Sequence, residues 1–224
     1  IIINHVIIFY MPINPDIAKE ILERQITERL ELDKMMVGSG DPDTPQKWAR
    51  ICKDNLEFIT DIVTKHGWPR ADLFQDEDVG KVVEYAAWMC VQHGDSNSGE
   101  WSIAVSKLAP QELAPDEAEK RKQELQGKFE PALIAATNQQ KLCLAVMAKD
   151  DAAKHHIAFV TDRIARNKCE PQIYATQGVP HPLDIGAEIE KRVRDGDVNQ
   201  RRNGMGLESC ELINEYNKQI AAGT

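Results

Sequence analysis

The residues best suited to chemistry in this chain of 224 residues begin at Gln92-His93-Gly94-Asp95. There an amide, an imidazole and a carboxylate stand between a helical pattern and a polar loop. Histidine changes charge close to neutral pH, so at such an opening it can serve as a general acid or base. Asp162-Arg163 is the next group. On a helix predicted from about Asp151 to Asn167, Ile157, Val160 and Ile164 mark the core side. Arg163 and His156 fall at the edge of that stripe, whereas Asp162 and His155 project nearly opposite. The two charges face apart, and each needs a partner elsewhere. For Arg163 that partner is a protein carboxylate or a bound anion, because its planar fork fits both.

The segment from Pro171 to Gln177 has no helical period. If extended, it turns Gln172, Tyr174 and Thr176 to one side, either as a pocket wall or as ties from a loop to the bundle. Arg201-Arg202, ahead of Gly206-Leu207, places two adjacent arginines in an acidic chain. They bind an anion or bridge acidic helices, and surface pairing of that kind contributes little stability.

The elements that must position these groups read as helices. Asn14-Pro15 caps and opens a first helix carrying Ile17, Ile21, Leu22, Ile26 and Leu30 to about Met36. Thr44-Pro45 opens a second, with Trp48, Cys52, Leu56, Ile59, Ile62 and Val63 as its stripe, ending at His66-Gly67. After the turn at Trp68-Pro69, the acidic run Asp76-Glu77-Asp78 suits the start of a third helix. Its face is predicted as Val79, Val82, Val83, Ala86 and Cys90, ending at His93-Gly94. Both terminal histidines are predicted on buried stripes, where each could also satisfy the last carbonyls, and both glycines suit a left-handed stop. A short helix at Trp101–Leu108, a charged insertion at 110–130 as an exposed helix or hairpin, and a helix from Pro131 to Met147 follow. Further helices are predicted near Ile185–Arg194 and Ser209–Ile220. There is no internal repeat. The fold expected is all-α, an irregular or orthogonal multi-helix bundle forming a single domain over residues 11–224.

Composition narrows the partners. Apolar residues make up 42% and charged residues 28%, with a formal net charge of −9, an ordinary globular balance that argues against a nucleic-acid partner. The five cysteines are scattered and never form a CxxC pair, so reduced thiols and a cytoplasmic location are expected. Ile1 to Tyr10 is an apolar run too short to span a membrane, without the basic start or small-residue cleavage site of a signal peptide. Those ten residues are expected to be an upstream extension ahead of Met11, or else a short added strand. Neither GxSxG, GxGxxG, a phosphate-binding Walker loop nor HExxH occurs. A metal held by His93, Asp95 and a distant histidine is the weaker alternative, and no metal is expected.

Taken in order, these segments resemble an uncharacterised family, a domain of unknown function found in bacteria and some fungi. Its pattern runs GWP, QHxD, DR, QxYGTQ, RRxxxGL and a late tyrosine. The matching residues here are Gly67-Trp68-Pro69, Gln92-His93 with Asp95, Asp162-Arg163, Gln172, Tyr174, Thr176 and Gln177, Arg201-Arg202 with Gly206-Leu207, and Tyr216. Ala175 stands where the pattern has glycine, which puts a tight turn there in doubt, and Asn199 where it has aspartate. The resemblance covers most of the chain outside residues 1–10 and the charged insertion. It implies that the polar residues belong together and supplies no activity.

The function expected is an enzyme acting on an anionic or carboxylate-bearing small molecule by acid–base chemistry without a redox cofactor. His93, Asp162 and Tyr174 are its expected catalytic groups; Gln92, Arg163, Gln172, Thr176, Gln177, Arg201 and Arg202 are its expected binding groups. The alternatives are a metabolite- or peptide-binding module and a protein–protein interaction domain working through the charged insertion. Nothing in the sequence fixes an oligomeric state.

Overall fold

The computed structural model describes residues 14–38, 41–95, 115–168, 170, 172–177 and 198–209. Asn14 caps the first helix by accepting from the Asp16 N–H at 2.9 Å, and Pro15 takes the first helical position, so α1 runs Pro15–Met36. Helix α2 is Thr44–His66, with proline again in its first turn. The Asp76 carboxylate accepts from the Asp78 and Val79 N–H groups and starts α3, Glu77–His93. A short 3-10 turn, Ala71–Leu73, connects the two. Then come α4, Pro115–Lys149, α5, Lys154–Asn167, and α6, Val198–Gly204. Among the described residues there are six α-helices and no sheet. The protein is an all-α multi-helix bundle, as its patterning predicted.

Helix α2 lies at the centre, packed on α1, α3 and α4, while α5 closes over α3 and α4. Of the stripe predicted for α2, Cys52, Leu56, Ile59, Ile62 and Val63 are buried and Trp48 is half-buried, each large aliphatic contributing about 1.5–3 kcal/mol. The faces predicted for α1 and α3 need rotation. Ile26, Leu30, Val79 and Val82 are exposed, whereas Glu28 and Glu84 are buried. One physical cause serves both helices. A carboxylate that receives hydrogen bonds can lie inward, and its helix turns to bring it there. On α3 the inward face also includes Gly80, where a Cβ would stand 2.3 Å from the Ala71 carbonyl oxygen.

Other expectations are corrected. His66 is exposed. Gly67 does adopt a left-handed φ of 80°, but Gly94 is right-handed at −61°. Glycine is required at 94 for space: a Cβ there would lie 2.4 Å from the Leu56 side chain. The helix predicted to open at Pro131 instead begins at Pro115 and passes through Pro131, so the charged stretch is helical over 115–130, as expected, and continuous with the rest of α4. α5 begins at Lys154, three residues after the predicted start. Residues 1–10, the helices predicted at Trp101–Leu108 and Ile185–Arg194, nearly all of that predicted at Ser209–Ile220, and Tyr216 lie outside the described residues. No helix among the described residues is long and apolar enough to cross a membrane.

Candidate functional site

His93 ends α3, and its imidazole meets α1 rather than the carbonyls of its own helix. Nδ1 lies 2.5 Å from Oε1 of Glu28, a carboxylate that is 1% exposed. The other Glu28 oxygen accepts from Asn55 Nδ2 at 2.9 Å, so α2 holds the carboxylate that orients the histidine. The Trp48 ring stands edge-on to the imidazole at 6.1 Å. The His93 side chain remains partly open, 21% exposed. Among the described residues, no protein group hydrogen-bonds its Nε2.

Two residues further on, Asp95 forms a buried two-pronged pair with Arg163, at 2.7 Å to Nε and 2.6 Å to the terminal nitrogen. Burial pushes the Asp95 carboxyl up, but the Arg163 guanidinium outweighs it and holds it below the usual carboxylate range. Burial likewise disfavours the arginine's charge, and Asp95 more than restores it. Asn167, one turn after Arg163, donates to Asp95 at 2.5 Å and to Gln140 at 3.2 Å. Gln140 in turn donates to the Val91 carbonyl. Gln92 donates to Gln177 at 3.1 Å, which ties α3 to the polar segment after α5.

That segment does not run straight. Asp162, predicted to face away from the core, is wholly buried because residues 172–177 wrap over it. Its carboxylate accepts from the N–H groups of Ile173 at 2.7 Å, Tyr174 at 3.1 Å and Thr176 at 2.8 Å, and from the Thr176 hydroxyl at 3.0 Å. The turn needs a left-handed residue, and Ala175 supplies it at φ 53°, without the glycine of the similar pattern. The Gln172 amide pairs with both backbone groups of Gln177. Arg201 donates to the Ile173 carbonyl, and Arg202 to the carbonyls of Tyr174, Ala175 and Glu208. Every oxygen of Asp162 is thus occupied by protein, and Arg202, 3% exposed, is enclosed by backbone.

The Gly67-Trp68-Pro69 turn is built on the same principle. Asp150 accepts from the Trp68 N–H at 2.8 Å, and a Cβ on Gly67 would stand 2.7 Å from that oxygen. Glu84 gathers the Trp68 indole and the N–H groups of Ala71 and Ala153. His156, 4% exposed, stacks on Trp88 at 4.6 Å. Glu84 is 3.9 Å from its Nδ1, beyond hydrogen-bonding reach and already engaged with three donors. Burial therefore prevails, assisted by His155, and lowers the His156 pKa to about 3.

The predicted residues sort into two groups. Gln92, His93, Asp95, Arg163 and Gln177 join α3 to α5 at one end of the bundle, with Glu28, Trp48 and Asn55 beside His93. Asp162, Gln172, Tyr174, Thr176, Arg201 and Arg202 build and clasp the loop over α5, with Gln172 and Gln177 linking the two groups. The loop group uses Asp162 and both arginines as backbone ligands. For the metal alternative, Asp95 is committed to Arg163, and the described residues hold no group of three or more His, Cys, Asp or Glu side chains placed to bind a metal ion. Glu28 and Asn55 were missed because a hydrophobicity pattern assigns such polar side chains to solvent, whereas both are buried here. A mostly apolar crevice of about 350 Å³, lined by Leu144, Ala148, Ile164 and Ile173 among others, lies between α4 and α5 and contains none of the predicted site residues.

No family model, curated protein or solved structure matches this chain.

Proposed function

We propose that the chain is an enzyme that acts on a small anionic molecule by acid–base chemistry at His93. The observation that carries this reading is the 2.5 Å contact between His93 Nδ1 and the buried Glu28 carboxylate. Glu28 accepts the Nδ1–H, which fixes the tautomer and leaves the Nε2 lone pair as the base. When Nε2 takes a proton, the same carboxylate stabilises the imidazolium, as in other carboxylate–histidine pairs. Asn55 prevents the carboxylate from turning away. Arg163 acts as a positioning residue, because its pairing with Asp95 fixes the chain immediately beyond His93.

The test has two parts. Long-range imidazole NMR on the folded protein should find Nδ1 protonated and Nε2 free, and Glu28→Gln should weaken that preference. A screen of small carboxylate-bearing esters and amides should then yield a substrate whose turnover falls about 100-fold or more in folded His93→Gln, the contribution expected of a general acid or base. Equal turnover by the two proteins would remove His93 from the chemistry.

A further inference from the structure

Arg166 was not among the residues singled out by sequence, and it differs from every arginine that was. It lies on α5 three residues after Arg163 and one before Asn167, the two residues that hold Asp95. Residues three apart on a helix are surface neighbours, so Arg166 stands beside that ion pair. Its Nε is buried and has no hydrogen-bond partner. Among the described residues, no carboxylate, carbonyl or amide accepts from any nitrogen of its guanidinium.

The charges make the vacancy informative. Asp95 carries one negative charge, and the two-pronged pair with Arg163 already neutralises it. Burial, then repulsion from Arg163, lowers the Arg166 pKa to about 10, which leaves the side chain charged at neutral pH. A buried guanidinium nitrogen without an acceptor is destabilising, and a perturbed group of that kind is a candidate for a functional site. Among the described residues, two further buried atoms also lack partners: the Trp48 indole nitrogen, whose ring stands edge-on to the His93 imidazole, and Oε1 of Gln92, the residue before it. A donor, an acceptor and a planar cation therefore remain unsatisfied at this end of the bundle.

We infer that Arg166 is the anion-binding residue of the His93 site, and that the group it receives is a carboxylate. This rests on the functional reading above. The choice of carboxylate follows from charge. One uncompensated guanidinium matches a single negative charge in a two-pronged geometry. A phosphate monoester brings about −1.5 to −2 at neutral pH, and the neighbouring Asp95 carboxylate would repel the excess.

The probes are sodium acetate and inorganic phosphate, titrated at constant ionic strength with chloride as the control. The side-chain Nε–H signals of Arg166 and Trp48 are followed by NMR. Acetate should shift both saturably and more tightly than phosphate, and Arg166→Gln should weaken acetate binding at least tenfold. Because Arg166 bonds to no described protein group, Arg166→Gln should also melt at or above the wild-type temperature. A lower melting temperature with unchanged acetate binding would make Arg166 structural and overturn the assignment. Tighter phosphate binding would overturn the carboxylate, and no saturable shift with either probe would overturn the site. His93→Gln should bind acetate within about twofold of wild type. Loss of turnover with binding retained therefore reports on His93 alone, and the two claims fail separately.

Discussion

Replacing Asp162 by asparagine separates an anchoring carboxylate from a catalytic one, and the structure sets the size of the effect. Oδ1 accepts the Ile173 and Tyr174 N–H groups, while Oδ2 accepts the Thr176 N–H and hydroxyl. An asparagine amide can keep the bonds on one oxygen only; its NH2 meets donors on the other side. A hydrogen bond to a charged group contributes about 1.5–3 kcal/mol, and a stranded buried N–H costs about 1–3 kcal/mol. With partial relaxation, Asp162→Asn should destabilise the protein by about 3–5 kcal/mol. The loss has a ceiling, namely the free energy at which residues 172–177 detach from α5 while the bundle stays folded. Two measurements cover both routes. Urea unfolding reads the global loss, and hydrogen exchange at the Ile173, Tyr174 and Thr176 amides reads local release. An unchanged urea midpoint together with wild-type exchange at those amides would refute the anchoring role. Loss of turnover without either change would return Asp162 to the chemistry.

Two further predictions follow from single residues. The unfolded chain should protonate His156 near its ordinary pKa of about 6.5, whereas the folded chain resists until about 3. Stability tied to the neutral ring is then complete above the higher value and declines as pH falls between the two, at about 1.4 kcal/mol per pH unit. Between pH 7 and 5 the wild type should lose about 2 kcal/mol more than His156→Phe, measured by urea unfolding at both pH values. Parallel losses would mean that Glu84 rescues the charged ring. Ala175→Gly should raise stability by up to about 1 kcal/mol, because the left-handed backbone strains alanine by about 1–2 kcal/mol and glycine's extra chain entropy offsets only part of that. A lower melting temperature would show instead that the Ala175 methyl packs usefully.

Helix existence was readable wherever a cap and an apolar stripe agreed, as at Asn14-Pro15 and Thr44-Pro45. Helix rotation was not. On α1 and α3 the buried face passes through Glu28 and Glu84, residues that a hydrophobicity pattern assigns to solvent. What turns them inward is a set of donors distant in sequence: Asn55 and His93 for one, Trp68, Ala71 and Ala153 for the other. Asp162 repeats the lesson, since the loop that buries it begins ten residues later at Gln172. For Arg163 a protein carboxylate and a bound anion were both open, and the choice depends on the helix packing that brings Asp95 to it.

Residue types that suggest chemistry also suit the task of satisfying irregular backbone, and here the second use dominates. Asp150 and Glu84 secure the Trp68 turn, Asp162 secures residues 172–177, and Arg202 collects three carbonyls on the far side of the same segment. An all-α bundle needs such devices because loop amides have no strand to pair with. Those assignments account for the polar residues by protein contacts alone. They do not account for a histidine set by a buried carboxylate with its other nitrogen unengaged among the described residues, or for Arg166, whose buried Nε has no acceptor among them. A bundle optimised only for stability has no need of either arrangement, since a polar atom left unsatisfied on burial is destabilising. Their placement, with His93 two residues before Asp95 and Arg166 about one turn after Arg163, is the physical argument for a ligand there.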